Sequence, residues 1–448
     1  MKKLIETFRN IFKIEELRKR IVYTLLLVLV YRLGCFVVIP GIDATMLATL
    51  QNNTQEGLVG LLNMFSGGAF GNASIFALGV MPYISASIVI QLLGMFVPYF
   101  KKLQMEGESG RKRINQITRY LTVVILAIQC PAYLAAIHNQ IPGQAFVAVT
   151  QLGWSNFTFN LVSTIVLLAG SMFVMWLGER ITDRGIGNGI SLIIFAGIVA
   201  GLPSALARTF EQSRQGDLST IALLIIGVVV VLVTFFVVFV ERGQRKIVIE
   251  YAKRQMGNRI YSQPRSNLPL KINLSGVIPA IFASSIILFP GTVVSWFGQG
   301  DNAVSNVLGS ISVFLQPGQP LYELLYAAAI IFFTFFYTAL VFNPREIADN
   351  LKKGGAFIPG IRPGKQTARF IDKVMTRLTL SGSLYMVLVC LVPQMLMNWF
   401  NVQFYFGGTS LLIIVVVCMD FVSQLQSHMM NQQYGDIMRK ANLRNYGR

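Results

Sequence analysis

Histidine occurs twice and cysteine four times among 448 residues, and Asp and Glu together number only 20. Each scarcity excludes something. Cys35, Cys130, Cys390 and Cys418 all sit in apolar runs, so they suit neither a loop disulfide framework nor a zinc site. His138 and His428 stand alone and read as boundary residues rather than ligands. The run Gly185-Ile186-Gly187-Asn188-Gly189 is followed by no Lys-Ser/Thr and preceded by no strand, so it reads as a tight turn capping a helix, not a phosphate loop. No metal spacing or nucleophile elbow occurs. The chain is therefore read as no enzyme, with no cofactor implied, and any energy source lies in a partner.

Charge is scarce too. Only 13% of residues are Asp, Glu, Lys or Arg and 54% are hydrophobic, whereas soluble domains carry about 25% charge. This composition describes a polytopic membrane protein. Crossing ~30 Å of hydrocarbon takes about 20 apolar residues, and ten such runs occur. The first five are Ile21–Pro40, Ser74–Val97, Ile114–Ile137, Phe157–Leu177 and Gly187–Ala207. The other five are Leu218–Val240, Gly276–Trp296, Tyr322–Phe342, Val374–Met397 and Phe406–Leu425. The first run follows a long charged segment with no nearby cleavage site, so a removable signal peptide is not expected. Residues 1–20 read instead as a cytoplasmic amphipathic segment.

Of the 38 Lys and Arg, all but Arg32, Arg208 and Arg214 fall on one set of connections or at the span ends beside them. That set is the N-terminal segment, every even-numbered connection between spans, and the tail. Positive charge stays inside, so both termini are expected in the cytoplasm. Two of these connections, 241–273 and 343–373, are long and basic, and their length favours docking of an acidic or anionic partner over topogenic charge alone. Within the first, Lys246 to Tyr251 reads as a strand and a hairpin follows around Gly257-Asn258. With five spans on each side of an external connection at 208–217, the halves 21–207 and 218–425 take opposite orientations, and 426–448 is a cytoplasmic tail. The fold class expected is all-α: ten transmembrane helices in two inverted five-helix halves.

Within the spans, the ionisable side chains that ion-coupled transporters use are few. Arg32 snorkels or caps a packing contact, Asp420 lies late in the last span, and Glu323 marks an outer edge. The stretch Asn63 to Leu93 stands out instead, because Gly67, Gly68, Gly71, Gly79 and Pro82 interrupt an otherwise apolar run. Broken backbone at membrane depth is tolerated only against protein or a water-filled cavity. Leu58 to Asn72 therefore reads as a re-entrant segment, or alternatively as a glycine-rich outer loop before an ordinary span. Val80 with Ile84, and Ile190 with Ile194, share helix faces. Branched aliphatics on such faces can narrow a pore that gates by dewetting, or simply fill a core. Small residues (Ser85, Ala86, Ser87 and Ala280, Ala283, Ser284, Ser285) allow spans two and seven to meet closely along a seam that can part, with Pro279 and Pro290 disturbing span seven.

The strings NMFSGGAFGNASIFALGVMPYISASIVIQLL, EGESGRKRINQITRY, MWLGERITDRGIGNGISLIIFAGIVAGLP, GVIPAIFASSIILFP and NPREIADNLKKGGAFIPGIRPGKQTARFIDKVMTRLTL closely resemble the SecY family of bacterial protein translocase subunits. The resemblance runs from about Ile21 to the C-terminal NYGR, apart from divergent outer loops. It implies a channel for unfolded preproteins and signal peptides in the bacterial plasma membrane. Its implied partners are the small subunits SecE and SecG, the SecA motor, the ribosome, SecDF-type and YidC-type accessory proteins, and membrane lipids. The re-entrant segment at 58–73 would hold the plug, with Phe65, Ser66, Gly67, Gly68, Ala69, Phe70, Gly71 and Asn72 at its heart. Val80, Ile84, Ile190, Ile194, Ile281 and Ile413 would form the pore ring, Val80 standing where the family often has Ile. Ser85, Ser87, Gln91, Ala283, Ser284 and Phe289 would border a lateral gate to lipid. Arg245, Lys246, Lys253, Arg254, Arg259, Arg345, Arg362 and Lys365 would meet the cytosolic partners, with Asn258 replacing one of two adjacent arginines.

Overall fold

The computed structural model describes residues 14–47, 57–140, 145–150, 153–216, 219–251, 254–256, 259–261, 266–297, 319–400 and 407–440. Each of the ten apolar runs falls on a helix. In the first half these are α1 (Glu15–Gly34), α3 (Met81–Phe96), α5 (Glu108–Gln140), α6 (Asn156–Arg184) and α7 (Gly189–Gln215). Before α3 lies the short α2 (Gly57–Phe65), and after it α4 (Pro98–Met105). In the second half they are α8 (Thr220–Arg242), α9 (Ile278–Phe297), α10 (Pro320–Val341), α12 (Lys365–Phe400) and α13 (Gly408–Lys440), with α11 (Pro344–Lys353) between α10 and α12.

Helix starts are set by local chemistry. Ser155, Asn188, Ser219 and Asn343 each accept a hydrogen bond from a free N–H in the first turn of α6, α7, α8 and α11. Asn188 Oδ1 takes Ile190 N at 3.1 Å, with Gly187 at φ +91° before it, so the glycine-rich run is a helix cap. Pro98 forces Val97 into an extended conformation, and α4 turns away from α3 by 99°. Pro279 lies in the first turn of α9, where it opens the helix rather than disturbing it.

Two predicted spans are shorter as helices than their apolar runs. α1 stops at Gly34, and the chain beyond it runs extended, with Val38 bridged antiparallel to Ser74. Ile39 N donates to Ala73 O and Ile75 N to Val37 O, both at 2.9 Å. The second run becomes helical only at Met81, because residues 66–80 are consecutive turns with positive φ at Gly67, Gly68, Ala73 and Gly79. Hydropathy cannot see this, since turns and helix here are equally apolar.

The polar connections build a small sheet in the order β4-β1-β5, from β1 (Gln244–Tyr251), β4 (Ser266–Lys271) and β5 (Ala356–Phe357). A hairpin of β2 (Arg254–Met256) and β3 (Arg259–Tyr261) rises between β1 and β4, while its turn at Gly257-Asn258 lies outside the described residues. The β1–β5 pairs, Glu250 with Phe357 and Tyr251 with Ala356, join the two long basic connections. Ile247, Leu270, Ile358, Ile371 and Met375 fill the core between them.

The halves meet along two seams. α3 and α5 pack on α9 along one, and α7 packs on α8 and α13 along the other. α2 lies between, touching α7 on one side and α9 on the other.

Candidate functional site

The chain from Phe65 to Val80 sits where the two halves converge. Phe65, Ala69 and Phe76 join one apolar cluster with Val80 and Ile84 of the first half and Ile281 and Ile413 of the second. Ile194 belongs to the same cluster and Ile190 packs against it. All six expected ring positions lie in or against this cluster, which extends through much of both halves, and five are buried, Ile413 completely. Their side chains offer no charge and no hydrogen bond. Phe70 and Ala73 face the other way, into a cluster of the first half alone that includes Tyr133, Phe146 and Phe159.

Polar contacts fix this segment mostly to the first half. Tyr31 Oη donates to Ser66 O at 3.0 Å, and Arg32 Nη1 donates to Gly67 O at 2.7 Å. Cys35 Sγ lies 3.8 Å from the same Ser66 carbonyl. On the far side Tyr133 Oη donates to Phe70 O at 2.9 Å, its ring edge-on to Phe70 with centroids 4.7 Å apart. Asn63 closes the segment on itself, accepting Gly71 N at its Oδ1 at 2.8 Å and Gly68 N at its carbonyl at 2.8 Å. Gly67 packs on Gly197 of α7 so tightly that a Cβ on Gly67 would lie 2.8 Å from the Gly197 Cα. The second half contributes Ser410, whose Oγ donates to Met64 Sδ at 3.2 Å.

Sequence reasoning left Arg32 as a snorkelling or capping residue and did not single out Tyr31, Tyr133 or Gly197. An arginine inside a span costs about 2.5–3.5 kcal/mol on insertion scales, so it needs a partner. Here the guanidinium lies between the Gly67 carbonyl and the Phe36 ring, whose centroid is 5.5 Å away. The charge in the span was the available signal; its partner, 35 residues further on, was not.

Of the residues expected at the seam, Ser284 and Ala283 are buried on α9, and Ser85 and Ser87 are half-buried on α3. Ser85 and Ser284 bond their own helices, through Met81 O and Ile281 O. Gln91 Nε2 donates to Ser87 Oγ at 3.1 Å, while its buried Oε1 has no donor. Phe289 lies on α9 with its side chain outside those described.

At the end of the bundle that carries the sheet, a cavity of about 270 Å³ opens between the halves. Asn188 and Ser191 line it from the first half, and Glu241, Lys271, Asn273 and Asp420 from the second. Asn273 Nδ2 donates to the buried Glu241 Oε1 at 2.6 Å, and Lys271 Nζ pairs with Asp420 at 3.7 Å. Gly187 N donates across the seam to Gln424 Oε1 at 2.8 Å. Beyond the cavity, Arg245 and Lys246 on β1, Arg345 on α11, and Arg362 and Lys365 before and at the start of α12 are exposed on one body. Arg254 and Arg259 lie on the hairpin with side chains outside those described, and Lys253 lies outside the described residues.

A family model described as SecY matches residues 74–422. This chain belongs to the SecY family. It is 58% identical over 433 residues to the protein translocase subunit SecY of Escherichia coli strain K12, covering 97% of this chain and 96% of that one. The Vibrio cholerae subunit is 57% identical over 436 residues, covering 97% of each. Among solved structures, one described as a protein-conducting channel superposes with TM-score 0.60 at 18% identity, over 91% of both chains. The Sec61 channel of a canine ribosome–channel complex superposes with TM-score 0.59 at 15% identity, over 91% of both. A SecY-family chain with this fold is a multi-pass membrane protein of ten helices in two five-helix halves.

Proposed function

We propose that the chain is the central channel subunit of the Sec protein translocase, passing unfolded secretory polypeptides across the bacterial plasma membrane and releasing apolar segments sideways into lipid. It is a conduit, not an enzyme. The observation that carries this reading is the single apolar cluster in which the Phe65–Val80 segment meets aliphatics from both halves. A passing polypeptide brings every kind of side chain, so specific charges or hydrogen-bond sites at the narrowest point would trap it. A constriction of Val and Ile binds none of them strongly and sheds water when empty.

Val80, Ile84, Ile190, Ile194, Ile281 and Ile413 are the pore ring, and Phe65 to Asn72 is the plug. A solved SecY channel of the same fold (TM-score 0.61, 17% identity) is described as one whose plug domain stabilises the closed state and maintains a membrane seal. α3 and α9, with Ser85, Ser87, Gln91, Ala283, Ser284 and Phe289, border the lateral gate, where apolar segments partition outward and polar ones continue. Both termini and the sheet face the cytoplasm, as the Lys and Arg distribution requires. The basic body carrying Arg245, Lys246, Arg345, Arg362 and Lys365 receives the ribosome and a SecA-type motor. Ribosome-bound relatives of this fold, among them the canine Sec61 channel, favour that use. SecE- and SecG-type subunits complete the complex.

Reconstitution of the chain with those two subunits and the motor tests this. A radiolabelled precursor should become protease-protected inside vesicles only with ATP. Arg362→Glu should slow protection roughly tenfold, as loss of a steering charge does; wild-type rates would reject the residue's role, and no ATP-dependent protection at all would reject the function.

A further inference from the structure

Three described hydrogen bonds that reach the plug from the spans end on main-chain carbonyls, while the Asn72 side chain donates outward to Cys35 O at 3.5 Å. Tyr31 reaches Ser66 O, Arg32 reaches Gly67 O, and Tyr133 reaches Phe70 O. Tyr31 and Tyr133 are fully buried; the Tyr133 hydroxyl has no other hydrogen-bond partner among the described contacts, and the Tyr31 hydroxyl also meets the Cys35 thiol. A carbonyl at membrane depth is satisfied by protein or by cavity water, and at these three carbonyls buried protein donors do so. The donors come from α1 and α5, both of the first half, and the backbone contact of Gly67 with Gly197 adds α7 of the same half. The second half offers a hydroxyl–sulfur contact and apolar packing.

We infer that Arg32, with Tyr31 and Tyr133, is a positioning clamp that holds the plug to the first half through its backbone, so that parting the halves leaves the plug seated until a passing chain displaces it. The inference rests on the plug reading above. Arg32 has the greatest share, because a hydrogen bond from a charged donor is about twice as strong as a neutral one. It is also held in place by the Phe36 ring beneath it. The clamp reads no plug side chain. It tolerates substitutions at Ser66 or Phe70 that keep the turns, and it fails when Gly67, at φ +69° against Arg32 and Gly197, gains a side chain.

The test measures idle ion conductance in planar bilayers for the complex with its small subunits, alongside its unfolding temperature. Deleting Phe65–Asn72 gives the reference leak. Arg32→Gln should raise conductance roughly tenfold, the effect of losing one charged hydrogen bond, and Arg32→Lys should restore most of the seal. Should Arg32→Gln fail to fold, the pair Tyr31→Phe and Tyr133→Phe decides, since it removes only two oxygens and should also leak. If the deletion leaks while the clamp variants stay tight, or only lose thermal stability, the clamp is overturned and the plug stands. If the deletion does not leak, the plug reading itself falls.

Discussion

Ile84 and Ile194 lie in the apolar cluster shared by the two halves, with about one-twentieth or less of their surface exposed. An Asn at either site would bury an amide in that cluster, at about 1–3 kcal/mol against the closed state. Ile84→Asn combined with Ile194→Asn should therefore admit precursors with defective signal sequences; an unchanged response in an export assay would oppose the ring. The i, i+4 spacing made it legible that Val80 with Ile84 and Ile190 with Ile194 share helix faces; the ring itself was implied only by the family resemblance. Arg32 was visible as a charge in a span, but its role was not, since its acceptor is a carbonyl and carbonyls carry no sequence signal. Tyr133 was hidden for the same reason.

The element that sequence reading handled least well is the sheet. The strand at Lys246–Tyr251 and the following hairpin follow from local pattern, and β1 and the β2–β3 hairpin lie there. β5 is two residues long, too short for any periodicity, yet it joins the two basic connections. Ile247 is buried in the apolar core that the two connections share. Ile247→Asn should loosen both connections together, at about 1–3 kcal/mol to the small core. Limited proteolysis should then cut 343–373 as readily as 241–273, whereas protection of the second loop would show that the two are independent. α3 was misjudged in length for another reason: Gly79 and Pro82 were noted as breaks, but hydropathy gave no residue at which the helix starts.

At the scale of the whole molecule, ten apolar runs and the placement of Lys and Arg made the two-half architecture legible before any coordinate. Which helices face across the seam was indicated only by small residues, a weak sign, since many membrane helices have them. α3 and α9 do pack together, with Ser284 buried on that contact-bearing helix. In a background without the native cysteines, Ser85→Cys and Ser284→Cys should cross-link in the resting protein, and bound signal peptide should reduce the yield severalfold. Consistent failure of well-folded protein to cross-link would remove the seam from this face.

Among the described residues, main-chain pairing ties the second basic connection to the first through two residue pairs on an edge strand, beside the apolar core that the connections share. So short a border gives a foreign strand little to grip, which guards against sticking between neighbouring molecules. It also means that parting those two pairs would leave the β1–β4 and β2–β3 pairing intact. Under the docking role proposed above, one and the same protein would then offer two differently shaped landings.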